Sequence, residues 1–151
     1  MTAIIFTGIP ASGKSSFFKE RFFDTHIRIN LDMLKTRHRE KLLVQACITA
    51  KQPFVVDNTN ATAAERERFI KPVREAGFKV IGYYFSSKVQ DALERNRKRE
   101  GKARIPDKGV TGTAGRLELP VLIEGFDELW YVRMDGNSPL FLTISAYSRC
   151  S

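Results

Sequence analysis

The residues with the clearest chemical signature lie near the start of the chain, where residues 8–15 read GIPASGKS. This stretch matches G-x-x-x-x-G-K-[ST], in which glycines let backbone N–H groups turn inward around phosphate oxygens. Lys14 is placed to reach the β- and γ-phosphates of ATP, and the Ser15 hydroxyl to bind the Mg²⁺ that bridges them. The residues predicted to contact the nucleotide here are Gly8, Ile9, Pro10, Ala11, Ser12, Gly13, Lys14, Ser15 and Ser16.

The elements on either side of this loop support that interpretation. Residues 3–6 are apolar and predict a buried strand, and residues 14–22 predict a helix whose N-terminus also attracts phosphate. A glycine-rich turn that binds no ligand could have the same sequence pattern. The order strand, loop, helix is the context that a phosphate-binding loop requires, so we expect a bound nucleoside triphosphate.

Two carboxylates follow later predicted strands. Residues 26–30 predict a short second strand, and Asp32 follows it at the predicted start of a helix. Asp32 is a candidate general base for an acceptor hydroxyl, and it is also compatible with a plain helix N-cap. Residues 53–57 predict an apolar strand buried on both faces, which ends at Asp57. An Asp at this place is a candidate second ligand for magnesium.

A basic segment follows in the second half of the chain, where residues 88–104 hold seven basic and three acidic side chains. A helix predicted to reach about residue 100 would place Arg95 and Arg99, at i and i+4, on one face. Such arginines can neutralise charge on a transferred phosphoryl group, although a solvated helix face has the same composition. Residues 101–115, rich in Gly, Thr and charge, predict a mobile connection that closes over a ligand.

The remaining elements alternate along the chain. Periodicity predicts helices over residues 39–50 and 62–76, the second opened by a capping box at Thr62 and Glu65, and strands at residues 78–85 and 128–133. Residues 140–144 are expected to pair at a sheet edge. This order predicts a three-layer α/β/α fold with a mostly parallel five-stranded sheet. The helix residues predicted to be buried are Leu43, Ala46, Cys47, Ala50, Phe69, Ile70, Val73 and Ala76.

Composition limits the class of protein. A chain of 151 residues predicts one domain, here residues 1–144, with a frayed tail at 145–151. No apolar run approaches the roughly 20 residues that span a bilayer, and residues 1–6 lack a basic leader, so we expect a cytoplasmic protein without membrane contact. Cys47 is expected in the core and Cys150 in the tail, without a disulfide. The net charge of +8 favours a polyanionic partner.

Several motifs together resemble the kinase domain of 5′-polynucleotide kinases, from about residue 4 to residue 134. They are residues 8–15, Asn30-Leu31-Asp32, Asp57-Asn58-Thr59-Asn60, the basic run at 95–99, Ile105-Pro106 and residues 120–126. The resemblance implies a P-loop kinase with a helical, arginine-bearing lid, in which Asp32 is the general base and Asp57 the Walker B carboxylate. It also implies that Arg99 contacts the nucleotide phosphates. Arg95, predicted on the same helix face, is a candidate for the same nucleotide contact, and both arginines are candidate catalytic residues. The candidate acceptor contacts are Asp32, Lys35, Asn58 and Thr59.

The sequence also departs from that family. Lys35 stands where the family carries an arginine that grips the acceptor phosphate, and a lysine cannot make the same two-pronged contact. Residues 109–114 are rich in glycine, so a less ordered lid is expected. No phosphatase motif accompanies the kinase motifs, so a kinase alone is predicted.

Three functions remain open from the sequence. The first is transfer of the γ-phosphate of ATP to a 5′-hydroxyl of DNA or RNA. The second is the same chemistry on a small-molecule hydroxyl of a sugar, nucleoside or antibiotic. The third is a nucleotide-binding module of a toxin-like or regulatory kind. None of the three has an evident need for an obligatory protein partner.

Overall fold

The computed structural model describes residues 1–86, 88–134 and 141–146. Within these residues the strands form one six-stranded sheet in the order β2-β3-β1-β4-β5-β6. The strands are β1 (Thr2–Thr7), β2 (Ile27–Ile29), β3 (Phe54–Val56), β4 (Lys79–Phe85), β5 (Glu128–Met134) and β6 (Phe141–Ala146). The α-helices are α1 (Lys14–Arg21), α2 (Leu31–Leu34), α3 (Arg37–Ala50), α4 (Ala63–Glu75), α5 (Val89–Arg97) and α6 (Asp107–Arg116).

The strands from β2 to β5 pair in parallel, and β6 is antiparallel to β5 at the edge. Successive side chains of β1 enter opposite clusters: Ile5 packs on the face that α3 and α4 cover, and Ile4 and Phe6 pack on the face that α1 covers. A strand buried on both faces is apolar throughout, as the sequence of β1 is. The chain therefore has the predicted three-layer α/β fold with five parallel strands.

The carboxyl ends of the parallel strands all meet one edge of the sheet. The loop after β1, the turn after β2 and the turn after β3 lie there, because parallel strands with helical crossovers run in one direction. The order places β1 between β3 and β4, so the residues that follow these three strands become neighbours.

The buried faces of α3 and α4 differ from the prediction in part. Ala46 and Ala50 are exposed, and α3 instead buries Val44 and Cys47 together with Glu40. In α4, Phe69, Ile70 and Val73 are buried as predicted, while the helix ends at Glu75 and leaves Ala76 exposed. Leu43 is partly buried against the same core, and Ala76 is exposed because it is the C-cap at the end of α4. The capping box that opens α4 is present as predicted.

The segment predicted as a mobile connection is instead largely helical, since α6 occupies Asp107–Arg116. Val110 is fully buried against Ile9, Ala11 and Ala92, so α6 packs onto the glycine-rich loop and α5. The side chain of Asn96, also fully buried, donates to the carbonyl of Ile105 at 2.6 Å and accepts from its N–H at 3.0 Å. Burial and these two bonds offset the low helix propensity of the glycines.

Three further features bear on the sequence predictions. β6 continues through Ala146, so the first two residues of the expected tail belong to a strand, and residues 147–151, including Cys150, lie outside the described residues. Cys47 is buried as a free thiol, and burial raises its pKa. None of the described helices has the length and apolar character that crossing a bilayer requires.

Candidate active site

The loop between β1 and α1 leaves the N-terminus of α1 open to an anion. Gly13 is the residue before the helix, with φ 97°, and neither a side-chain cap nor an acidic first-turn residue competes for that end of the helix. A Cβ added at Gly8 would lie 2.7 Å from Ser12 Oγ and 3.0 Å from Phe85 Cβ. The loop thus has the close backbone turn and the free helix end that bind phosphate groups.

The Lys14 side chain folds back along this loop. Its Nζ donates to the carbonyls of Gly8 and Ile9, both at 2.8 Å, and lies 3.3 Å from Ser12 Oγ. Burial lowers the pKa of Lys14 to about 8, partly opposed by the negative charges of Asp57 and Asp32, while the charge of Arg99 lowers it further. Three residues from distant parts of the sequence therefore lie within electrostatic reach of the Lys14 ammonium.

Ser15 and Asp57, the two predicted metal ligands, are neighbours. Ser15 Oγ donates to Asp57 Oδ2 at 3.1 Å. Arg28 on β2 joins them: its Nε donates to Asp57 Oδ2 at 2.8 Å and its Nη2 to Ser15 Oγ at 2.9 Å. Arg28 was not identified from the sequence, where it is a single basic residue in a short strand.

The oxygen atoms of this pair fit a magnesium ion. Asp57 is 1% exposed, and its second carboxylate oxygen, Oδ1, is buried with no hydrogen-bond partner among the described residues. A hydroxyl and a carboxylate are hard oxygen ligands of the kind Mg²⁺ selects, and Mg²⁺ takes its other ligands from water and nucleotide phosphates. The described residues hold no group of three or more His, Cys, Asp or Glu side chains that could hold a metal ion.

Asp32 does not cap the helix that follows β2. The N-cap of α2 is Asn30, whose Oδ1 accepts from Met33 N at 2.9 Å and whose Nδ2 donates to the carbonyl of Asp57 at 2.6 Å. Asp32 is the second residue of α2 and is exposed. The helix-cap interpretation of Asp32 is therefore wrong, because the buried amide of Asn30, two residues earlier, takes that position. Lys35 ends the helix with φ 73° and is exposed.

The turn at residues 57–60 is tied to its neighbours by side-chain amides. Asn58 accepts from Leu31 N at 2.8 Å and donates to Glu40 Oε2 at 2.9 Å, so both ends of its amide are engaged. Asn60 donates to the carbonyl of Phe6 at 2.8 Å, and the carbonyl of Thr59 accepts from Gly8 N at 3.0 Å. The turn thereby positions the glycine-rich loop.

Two buried charged residues that the sequence did not reveal support this turn. Glu40, 2% exposed, accepts from Arg37 at 2.8 Å as well as from Asn58. Arg66, fully buried, binds both oxygens of Glu124 and donates to the carbonyl of Asn60 at 2.9 Å. A buried charge that is paired on several sides is typical of a position where geometry is held closely.

The two arginines of the basic segment reach the loop in different ways. Arg95 on α5 donates from Nε to the carbonyl of Ala11 at 2.7 Å. The helix ends at Arg97, so Arg99 follows in the turn beyond and does not continue the same helix face as predicted. Arg99 donates to the carbonyl of Ala103 at 3.3 Å, and burial lowers the pKa of both guanidinium groups.

The sequence of this chain matches one family model and is similar to a protein of known activity. The sequence model of a family described as AAA domain matches residues 4–120. A bifunctional polynucleotide phosphatase/kinase of Schizosaccharomyces pombe is 26% identical over 130 residues, which make up 82% of this chain and 31% of that protein. The chain thus spans about a third of that relative's length.

Solved structures share the fold at lower identity. Kti12 of Chaetomium thermophilum, crystallised in complex with ADP-AlF3, aligns with a TM-score of 0.63 and 18% identity over 88% of this chain and 89% of that one. A gluconokinase from Sinorhizobium meliloti 1021 aligns with a TM-score of 0.57 and 18% identity over 87% of this chain and 82% of that one. At these identities the likeness establishes the three-layer α/β fold alone.

Proposed function

The chain belongs to the AAA domain family, and from that premise we propose that it is an ATP-dependent kinase that phosphorylates a 5′-hydroxyl end of DNA or RNA. The observation that carries the proposal is that the predicted site residues meet at the glycine-rich loop: Ser15 Oγ donates to Asp57 Oδ2 at 3.1 Å, and Arg95 Nε donates to the carbonyl of Ala11 at 2.7 Å. The charges of Asp57, Asp32 and Arg99, which come from three separate segments of the chain, also influence the pKa of Lys14. A kinase needs a phosphate-binding loop, a metal ligand, a base and a cation near the transferred group, and these four residues are one of each.

Each residue has a defined task in this proposal. The loop from Gly8 to Ser16 binds the phosphates of ATP, with Lys14 on the β- and γ-phosphates. Ser15 and Asp57 would hold Mg²⁺, which when bound would offset the negative charge of those phosphates. Arg95 and Arg99 stabilise the charge that develops during transfer. Arg95 also holds the loop itself through the carbonyl of Ala11.

In the proposed transfer the acceptor oxygen forms a bond to the γ-phosphorus. The bond between that phosphorus and the oxygen bridging to the β-phosphate breaks, and ADP leaves. The proton of the acceptor hydroxyl passes to the carboxylate of Asp32, which is exposed and therefore accessible to a large acceptor. Lys35, also exposed and three positions further on, is the candidate contact to the acceptor's first phosphate, with Asn58 and Thr59 beside it.

Two observations favour a nucleic-acid acceptor over a small one. The chain carries a net charge of +8, which attracts a polyanion. The matched relative is named for action on polynucleotides, and the match covers 82% of this chain. The gluconokinase likeness, at 18% identity, bears on the fold and keeps a small hydroxyl acceptor as the alternative.

The decisive experiment is transfer of γ-labelled phosphate from ATP to an oligonucleotide with a 5′-hydroxyl. Parallel reactions contain the same oligonucleotide with a 5′-phosphate, a mixture of nucleosides, and a panel of sugars including gluconate. Labelling of the 5′-hydroxyl oligonucleotide alone supports the proposal. Labelling of a small acceptor alone would transfer the function to the small-molecule class, and ATP binding without transfer to any acceptor would favour the toxin-like or regulatory module.

A further inference from the structure

The guanidinium of Arg28 lies on the two side chains that would hold the metal. Nη2 donates to Ser15 Oγ at 2.9 Å and lies 2.8 Å from Asp57 Oδ2, and Nε donates to the same carboxylate oxygen at 2.8 Å. Both contacts use oxygen atoms that face the glycine-rich loop. A positively charged group thus occupies the place where a divalent cation would contact Ser15 and Asp57.

Arg28 is held in this place from a third side. Its Cζ lies 5.9 Å from the centroid of the Phe18 ring on α1, within the range of a cation–π contact. The Arg28 side chain is 28% exposed, while Asp57 is 1% exposed. A buried carboxylate without a partner is strongly disfavoured, and Arg28 supplies the positive charge that pairs with Asp57.

We propose that Arg28 is a built-in cation that competes with the divalent metal for Ser15 and Asp57, so that the metal is admitted only when Arg28 moves aside. The inference rests on the proposed function only through the expectation that the site takes a divalent metal. It assigns Arg28 a positioning role, because it acts through Ser15 and Asp57.

The reason for the competition is electrostatic and geometric together. A guanidinium and Mg²⁺ cannot both lie at bonding distance from Asp57 Oδ2 and Ser15 Oγ, and their like charges repel strongly in a poorly solvated site. Nucleotide phosphates shift the balance, since they supply negative charge to both cations. The metal should therefore bind weakly by itself and more tightly with ATP.

The test measures metal binding without nucleotide or acceptor. Mn²⁺, whose free form is counted by electron paramagnetic resonance, is titrated into the purified full chain, into Arg28→Gln and into Arg21→Gln. Arg21 is a matched control, because its Cζ lies 5.7 Å from the Phe17 ring on the same helix but its ion-pair partner is the exposed Glu20. We expect Arg28→Gln to bind Mn²⁺ about tenfold or more tighter than the wild type and the control.

Two additional variants keep the result interpretable. Arg28→Lys retains the charge but not the two-pronged contact. Its Mn²⁺ affinity should lie between that of the wild type and that of Arg28→Gln. Asp57→Asn combined with Arg28→Gln should lose the gained affinity, which places the ion on Asp57. If Arg28→Gln does not fold, Arg28→Lys alone decides by the same comparison.

The outcomes separate this inference from the proposed function. Equal Mn²⁺ affinity in wild type and Arg28→Gln, or none measurable in either, would overturn the competition whatever the kinase assay shows. An unchanged affinity would mean that Asp57 Oδ1, which has no partner among the described residues, takes the metal while Arg28 stays in place. If Arg28→Gln binds Mn²⁺ more tightly while the wild type transfers phosphate to no acceptor, the competition is upheld and the kinase is rejected.

Discussion

Arg66 on α4 and Glu124 before β5 form a two-bonded ion pair across 58 positions of the chain, at 2.7 Å and 3.1 Å. The remaining nitrogen of Arg66 donates to the carbonyls of Asn60 at 2.9 Å and Ala61 at 3.2 Å. The turn after β3 and the segment before β5 are therefore fastened to one buried guanidinium. This explains physically why residues 57–60 and 120–126, two of the motifs in the resemblance, occur together.

Loss of this pair should destabilise the whole chain. Glu124→Ala leaves the Arg66 charge buried without its partner, which costs about 3–5 kcal/mol in comparable pairs. Urea unfolding measures the difference. The matched control is Glu128→Ala, whose partner Lys79 is 51% exposed, and its expected loss is about 1 kcal/mol or less. Similar losses in the two variants would show that Arg66 is not energetically dependent on Glu124.

Nucleotide affinity should fall as Lys14 loses its proton. Its pKa of about 8 means that the free protein becomes neutral at this position in mildly alkaline solution. ATP affinity should therefore decline between about pH 8 and about pH 10, because nucleotide phosphates favour the charged amine. Isothermal titration at a series of pH values checks this. In Lys14→Ala, affinity should be weaker and lack this decline, and an identical pH profile would remove Lys14 from phosphate binding.

The free energy of unfolding should rise with pH through Lys14, opposite to the expected fall in ATP affinity. The folded pKa of Lys14, about 8, is below the ordinary lysine value of 10.5, so the unfolded chain binds more protons between these limits. The free energy of unfolding of the wild type should therefore gain from this group as pH rises from about 8 to about 10.5. Lys14→Met should be more stable at neutral pH by up to about 3 kcal/mol, a margin that shrinks over that window. A constant margin would contradict the burial cost.

Asp32→Asn tests the proposed base without disturbing the helix cap, because Asn30 provides that cap. Transfer should fall by about 10²–10⁴-fold, the usual contribution of a positioned general base, with ATP affinity and the melting curve little changed. Asp24→Asn is the control, since Asp24 is also exposed. Full activity of Asp32→Asn would reject Asp32 as the base.

Asn30→Ala, unlike Asp32→Asn, should lower the stability of the fold. It removes the α2 cap and the bond to the carbonyl of Asp57, so stability should drop by about 1 kcal/mol or more. Thermal or urea unfolding measures this directly. A stability unchanged from wild type would show that the two bonds contribute little.

Salt should weaken acceptor binding steeply if the acceptor is a nucleic acid. Each lysine that neutralises a phosphate releases a counter-ion, so Lys35→Gln should lower the slope of log affinity against log salt by about 1. Lys51→Gln is a close control, because Lys51 also ends a helix with positive φ and is exposed. Fluorescence anisotropy with a labelled 5′-hydroxyl oligonucleotide gives both slopes. A flat dependence on salt in the wild type would favour a small acceptor.

Sequence alone was sufficient for the features that are local. The glycine-rich loop, the strands before it and before Asp57, and the capping box at Thr62 depend on neighbours within a few residues, and the structure has each of them. The parallel sheet also followed, since strands alternating with helices leave few other arrangements. That the residues following these strands share one edge of the sheet comes from the same rule.

Tertiary structure decided the features that depend on distant partners. Arg28 is one basic residue in a three-residue strand, and only the register of β2 against β3 directs it to Asp57, 29 positions away. The helix cap went to Asn30 because its amide also reaches the carbonyl of Asp57. Likewise α6 forms despite its glycines because Val110 is buried against the loop, a contact that no local pattern contains. Motifs such as the glycine-rich loop and the capping box are determined by adjacent residues. The pairing of charges and the burial of a helix with low helix propensity depend on which distant segments the fold brings together.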